Sequence, residues 1–177
     1  MMCTTVFAQT VPSLKLSAYY GRWYQVYSDL VVKSTFEDNI VCDSAYYYPY
    51  SNNTIAVVNS GNYGSYDGNV SIVKGWADQP DSSVPGKLSV HLQPTGGIPA
   101  PYWVYKLGPI VNGQYDYSIV SDDIKLTLFV LARNYTRFIN NHNKDVVNWL
   151  FANGFDKWYN SPILTNQTNC VYPEIYF

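Results

Sequence analysis

The 177-residue chain is short of charge: Asp, Glu, Lys and Arg supply 14% of it, where globular chains carry roughly 25%. Eleven basic and thirteen acidic residues leave a net charge of -2, so the sequence holds no cationic footprint for nucleic acid or an anionic membrane. No run approaches the roughly 18 to 20 apolar residues that a membrane-spanning helix needs. There are two histidines and three cysteines, with no metal-ligand spacing among them, and neither a metal nor a cofactor is expected. Repeats, linkers and low-complexity tracts are also missing, and a chain of this length can bury a real core as one domain. The start, MMCTTVFAQ, lacks a basic n-region, although Val6-Phe7-Ala8 suits the small-residue rule of signal cleavage. The expected division is a leader remnant or disordered segment over 1–15 and a single domain over 16–177.

Aromatic residues are abundant: Tyr, Trp and Phe reach 17%, eighteen of them tyrosine. From Arg22 to Arg133, short β-branched and aromatic runs alternate with Gly, Asn, Pro and Asp clusters. Strands are expected over 22–30, 41–49, 54–60, 70–77, 87–92, 102–107, 115–121 and 125–133. Most separators are hairpin-sized, which favours an antiparallel up-and-down order. Eight such strands close into a barrel without edges, wide enough for one small ligand, and a two-sheet sandwich is the alternative. In Lys87–Leu92 the residues Leu88, Val90 and Leu92 share one face, while Lys87, Ser89 and His91 share the wet one. The run 125–133 is apolar on both faces, so something must cover its outer side. Residues 144–153 place Val146, Val147, Leu150 and Phe151 at helical spacing, between Asn143 as N-cap and Gly154 as C-cap, and supply that cover. An extended tail follows.

An odd cysteine count leaves two possibilities for Cys42 and Cys170 once Cys3 departs with a leader. They are either one bond or two buried thiols. Sequons at Asn52, Asn69, Asn134 and Asn166 mark candidate glycosylation sites.

GRWYQVYS, KLSVHL, APYWVYKL, YDYSIVSD, LFVLARN and the NGFD after the helix together resemble the lipocalin family. The likeness is to the branch that holds apolipoprotein D and bacterial lipocalin, over roughly residues 16 to 172. It implies an all-β, eight-stranded antiparallel calyx with one C-terminal helix packed outside. It also implies that Gly21 opens the first strand, that Trp23 plugs the closed end and that Arg133 covers its indole. The family's bond from the second strand to the C-terminal segment falls on Cys42 and Cys170, which places the protein in an oxidising compartment, secreted or lumenal. The branch's other disulfide has no counterpart, since residues 115–123 lack cysteine.

If Arg133 folds over the closed end, Leu131, Phe129 and Thr127 share its inward parity, and Val130 and Leu128 face the helix. Matching to the branch's pocket positions adds Tyr46 and Asn59. Parity then extends the lining to Ile55, Val57, Val73, Ala77, Leu88, Val90, Leu92, Tyr102, Val104 and Val120. Apolar walls with Tyr46, Asn59 and Tyr102 as hydrogen-bonding points suit a lipid, fatty acid, sterol or retinoid. The expected partner is that ligand, with peripheral contact to membranes or lipid particles, in a monomer or weak dimer without catalysis.

Three rivals remain. A lipid-modifying enzyme on the same fold needs a nucleophile or acid–base pair in the cavity, yet His91, His142 and Asp116 all read as outside it. A barrel with a filled core needs no ligand. An adhesive module would carry its tyrosines outward.

Overall fold

Each β-branched run pairs with the next across a turn in a computed structural model that describes residues 9–175. The strands are β1 (Gly21–Ser28), β2 (Ile40–Ser51), β3 (Thr54–Tyr63), β4 (Val70–Asp78), β5 (Lys87–Leu92) and β6 (Pro99–Leu107). A two-residue hairpin of β7 (Ile110–Val111) and β8 (Gln114–Tyr115) precedes β9 (Tyr117–Ser121) and β10 (Leu128–Ala132). Antiparallel pairing runs β10-β9-β6-β5-β4-β3-β2-β1, and β10 pairs back onto β1, closing an eight-stranded barrel. Residues 1–8, with Cys3 and the expected cleavage site, lie outside the described residues. The expected domain start at residue 16 falls inside packed chain: Leu14 belongs to the interior, and the Val11 amide donates to the Val104 carbonyl at 2.9 Å.

Two apolar clusters sit on opposite sides of the wall. The interior one contains Trp23, Ala45, Tyr47, Ile55, Val57, Leu88, Val104, Val120 and Leu131. The exterior one places Val26, Ile119, Leu128, Val130 and Ala132 under Phe138, Val146, Leu150 and Phe155. Thus β10 is apolar on both faces because one face fills the barrel and the other receives helices. The strand is shorter than its apolar run because Asp122 accepts from the Leu126 and Thr127 amides and the Thr127 hydroxyl. Thr127 therefore belongs to the turn and not to the inner wall.

The outer cover is two helices where one was expected. α1 (Leu16–Tyr19) leads into β1, and α2 (Leu30–Ser34) follows it, capped by Asp29, which accepts from the Val32 amide. α3 (Tyr135–Asn141) begins at Asn134, whose side chain accepts from the Arg137 amide, and α4 (Asn143–Ala152) buries Val146 and Leu150. Asn143 is the first residue of α4 and not its cap, and Phe151 is 49% exposed. Between the two, Asp116 is held by Arg137 and by His142, whose Nε2 lies 2.9 Å away.

The mouth half of β1 does not pair with β2. There β11 (Ile163–Leu164) takes the place beside Tyr27 and Ser28. The Thr165 amide donates to the Val26 carbonyl, and the Cys42 amide donates to Asn166. Gln167 Nε2 bridges the carbonyls of Gln25 and Asp43. Cys42 and Cys170 are bonded, with Cα atoms 5.5 Å apart, so the tail is fastened to β2 beside this seam.

Candidate functional site

One end of the barrel is plugged. Trp23 is fully buried, its indole N–H donating to the Tyr19 carbonyl at 2.8 Å. The Arg133 guanidinium lies 3.7 Å from the indole centroid and donates to the carbonyls of Arg22, Ala18 and Tyr115. Burial lowers this guanidinium to about 10, which still leaves it charged and makes the cation–π contact a desolvated one. Gly21 is at φ +97°, a conformation that favours glycine, and a Cβ there would crowd Arg133 Nη1 at 3.2 Å.

Above the plug the interior is filled and then opens. Ile55, Val57, Leu88, Val104 and Val120 are 3% exposed or less. Closer to the mouth, Asn59, Val73, Val90, Leu92 and Phe129 lie on the inner face yet keep partial exposure, as does Tyr102 deeper on β6. Val120 is high on its strand but covered. The Asn59 side chain makes no hydrogen bond among the described residues, so its carboxamide is free on this upper wall.

Tyr46, expected in the pocket, is on the outer wall. Trp23 sets the phase of β2: its partner Ala45 turns inward with it, Tyr47 follows, and Tyr46 pairs outside with Arg22 and Val58. The Arg22 guanidinium sits 5.7 Å from the Tyr46 ring. Three interior phenols, Tyr19, Tyr47 and Tyr102, bond one another, while a fourth, Tyr115, accepts from the Lys15 amide. Tyr102 OH lies 3.0 Å from Tyr19 OH and 2.9 Å from Tyr47 OH, and Tyr19 OH lies 2.8 Å from Ser118 Oγ. Burial pushes Tyr19 up to about 12 and raises Tyr47 and Tyr102 well above the usual phenol range, so all three are neutral donors in the physiological range. Tyr47 is placed by the register that pairs Ala45 with Trp23, which the run of tyrosines does not reveal, and Tyr19 precedes β1 and carries no strand signal.

The loop from Asp29 to Asn39 folds a polar collar against the inner edge of the mouth. Lys33 Nζ contacts Glu37 at 2.8 Å and Asp43 at 3.1 Å, and Gln25 Nε2 donates to Glu37. Asp29 is fully buried, and its Oδ2 has no partner among the described residues. Burial raises Asp29 from 3.8 to about 6, with the Asp122 and Glu37 charges adding to it. Burial and the Glu37 charge do the same to Asp43, against the pull of Lys33. The folded state thus binds these protons more tightly than the unfolded chain. Their stabilisation is complete below about pH 4 and is lost as pH rises through 6. The melting temperature is expected to climb by several degrees from pH 7.5 to 5, and Asp43→Asn to flatten that slope in a calorimetric series. Asp116 does not confuse the window. Its burial penalty is outweighed by hydrogen bonds from Arg137 and His142, which hold it below the usual range, so its contribution fades only under about pH 4.

His91 is outside, stacked on Trp76 with rings 4.8 Å apart and Nδ1 on the Gly97 carbonyl. The four sequon asparagines, Asn52, Asn69, Asn134 and Asn166, are all exposed.

A barrel plugged at one end by a tryptophan–arginine pair and accessible from the other defines a cup-shaped small-molecule binding fold. The chain belongs to the lipocalin family: the model of the lipocalin-like domain matches residues 14–158. Apolipoprotein D of Mus musculus is 38% identical over 86 residues, which are 49% of this chain and 42% of that protein. Among solved structures, the amine-binding protein of Rhodnius prolixus in its tryptamine complex gives a TM-score of 0.59 at 17% identity, covering 94% of this chain and 89% of that one. Lobster apocrustacyanin A1 gives 0.58 at 15%, covering 84% and 78%. At such identities the likeness is one of fold.

Proposed function

We propose that this protein binds a small hydrophobic ligand, a lipid, fatty acid, sterol or retinoid, in the upper half of its barrel and carries or sequesters it without chemistry. The observation that carries this is the gradient along the inner wall. Side chains facing the interior are sealed near Trp23 and accessible near the mouth, where Val73, Val90, Leu92 and Phe129 line an apolar space with Asn59 as a polar point. Pockets of that make-up suit lipophiles with one or two polar atoms. The binding of small organic molecules by relatives, tryptamine in the Rhodnius protein, supports the same reading. No cysteine or histidine stands among the inner residues named, which argues against covalent or acid–base chemistry there. Native mass spectrometry of freshly purified protein should show an added mass of lipid size, and tryptophan fluorescence should respond to at least one lipophile. A bare mass with a flat response to sterols, fatty acids and retinoids would mean a filled barrel.

The mouth suits collection of this ligand from a lipid surface. Every connection at the mouth carries an exposed apolar side chain at or near its tip: Phe36 is 67% exposed, Tyr66 49%, Ile98 69%, Ile124 73% and Trp158 82%. Aromatic and branched side chains at loop tips suit insertion among lipid headgroups. Exposed charges nearby are Asp38, Asp67, Asp123 and Asp156 against Lys157, so the fitting surface is zwitterionic and not anionic. The protein should therefore float as a monomer with phosphatidylcholine vesicles, and added phosphatidylserine should not strengthen the association. Phe36→Ser with Ile124→Ser should weaken it by about tenfold or more. Self-association through the mouth, with no flotation, would reverse this assignment. Secretion, with glycans on the exposed sequons, completes the proposal and fits the disulfide.

A further inference from the structure

The hydroxyls inside the barrel do not balance. Ser118, Tyr19, Tyr102 and Tyr47 form a chain of four hydroxyl groups joined by three hydrogen bonds. Each hydroxyl has one proton, and each link uses one. However the links are directed, one of the four protons is left without an acceptor among the described residues. In a buried site an unmatched donor is costly, and the cost is least where something from outside can accept it. Ser118, Tyr19 and Tyr47 are 3% exposed or less, whereas Tyr102, its hydroxyl buried with theirs, is the one of the four whose side chain is partly exposed. The favoured order is therefore Ser118 donating to Tyr19, Tyr19 donating to Tyr102, and Tyr47 also donating to Tyr102. Tyr102 then accepts twice and keeps its own proton free for an acceptor that a ligand brings. Two incoming donors polarise its O–H and strengthen what it can donate.

The charges at the two ends of the barrel give this donor a direction. The Arg133 guanidinium lies beyond the phenols, close enough to bias Tyr19 and Tyr47 electrostatically. At the mouth, Asp29, Glu37 and Asp43 outnumber Lys33. An anionic or acceptor-bearing end is drawn inward and repelled at the rim, and a cationic end the reverse.

We infer that Tyr102 is the specificity-determining donor of the calyx, selecting lipophiles that enter with a carboxylate or carbonyl oxygen leading and discriminating against primary amines. This rests on the calyx being a lipophile site, and it narrows the ligand to one chemical end-group and one orientation. Asn59, free on the wall above, supplies a second polar contact along the same path.

The test uses the full chain and two fluorescent probes, cis-parinaric acid, which has the carboxylate, and diphenylhexatriene, which has no polar atom. Tyr102→Phe should weaken cis-parinaric acid by about tenfold while changing diphenylhexatriene less than about twofold. Tyr47→Phe leaves three hydroxyls, two links and still one spare proton, so acid binding should survive it. On the unaltered protein, stearic acid should displace cis-parinaric acid at least about tenfold better than octadecylamine does, and this comparison stands even if Tyr102→Phe does not fold. Equal losses for both probes would reduce Tyr102 to wall packing and overturn the inference, as would an amine that competes as well as the acid. If diphenylhexatriene fails to bind the unaltered protein, the calyx reading itself falls, and this one with it.

Discussion

Reducing the bond between Cys42 and Cys170 should lower the melting temperature by about 10–20 °C. The two residues are 128 positions apart, and in the chain-entropy model a cross-link over that span stabilises by about 5 kcal/mol. For a chain of this size each kcal/mol moves the midpoint by roughly 2–4 °C. The bond also holds the tail whose backbone groups fill the seam between β1 and β2, so its loss frees the Asn166 and Gln167 contacts as well. Calorimetry with and without reductant reads this directly, and a midpoint unchanged within about 2 °C would mean that the seam holds without its covalent tie.

Phe129→Arg should remove lipophile binding altogether, a loss of at least about a hundredfold, while the far-ultraviolet circular dichroism keeps its β shape. Phe129 faces the interior from β10, opposite Val120 on one side and Ser28 on the other, and it retains partial exposure to the upper space. An arginine there places a charge and its hydration in the volume a ligand would occupy, and desolvating that charge would cost several kcal/mol. The long side chain can reach the mouth and stay hydrated, which is why the barrel should survive. Titration with diphenylhexatriene is the measurement, and undiminished affinity would show that the ligand lies elsewhere.

The barrel was legible in the sequence because its strands are short, separated by turn residues, and phased by a few unambiguous positions. Arg133 phases β10, where apolar residues on both faces have to be shared between interior and helix. The same rule of two fails on β2, where Tyr46, Tyr47 and Tyr48 stand in a row. A tyrosine at every position carries no phase, so only the pairing of Trp23 with Ala45 puts Tyr47 inside. α3 was not legible for a different reason. YTRFINN contains β-branched residues and two asparagines, weak helix formers, and it is helical because Asn134 caps it, Phe138 is buried and Arg137 reaches Asp116. The collar was hidden too, since the contacts of Lys33 and Glu37 with Asp43 and Gln25 depend on how a loop folds back, which no local pattern records. The phenol chain joins residues up to 99 positions apart.

The seam at the mouth has a consequence for how the molecule is made. β1 is synthesised well before residues 163–167, and until they follow, the side of Tyr27 and Ser28 that faces away from β10 has no strand beside it. Until then the barrel has a gap beside its opening, with the Val26 carbonyl and the β2-facing groups of Tyr27 and Ser28 lacking the partners that residues 163–165 supply. The cup is thus completed last beside its own mouth, by the segment that the Cys42–Cys170 bond then fastens.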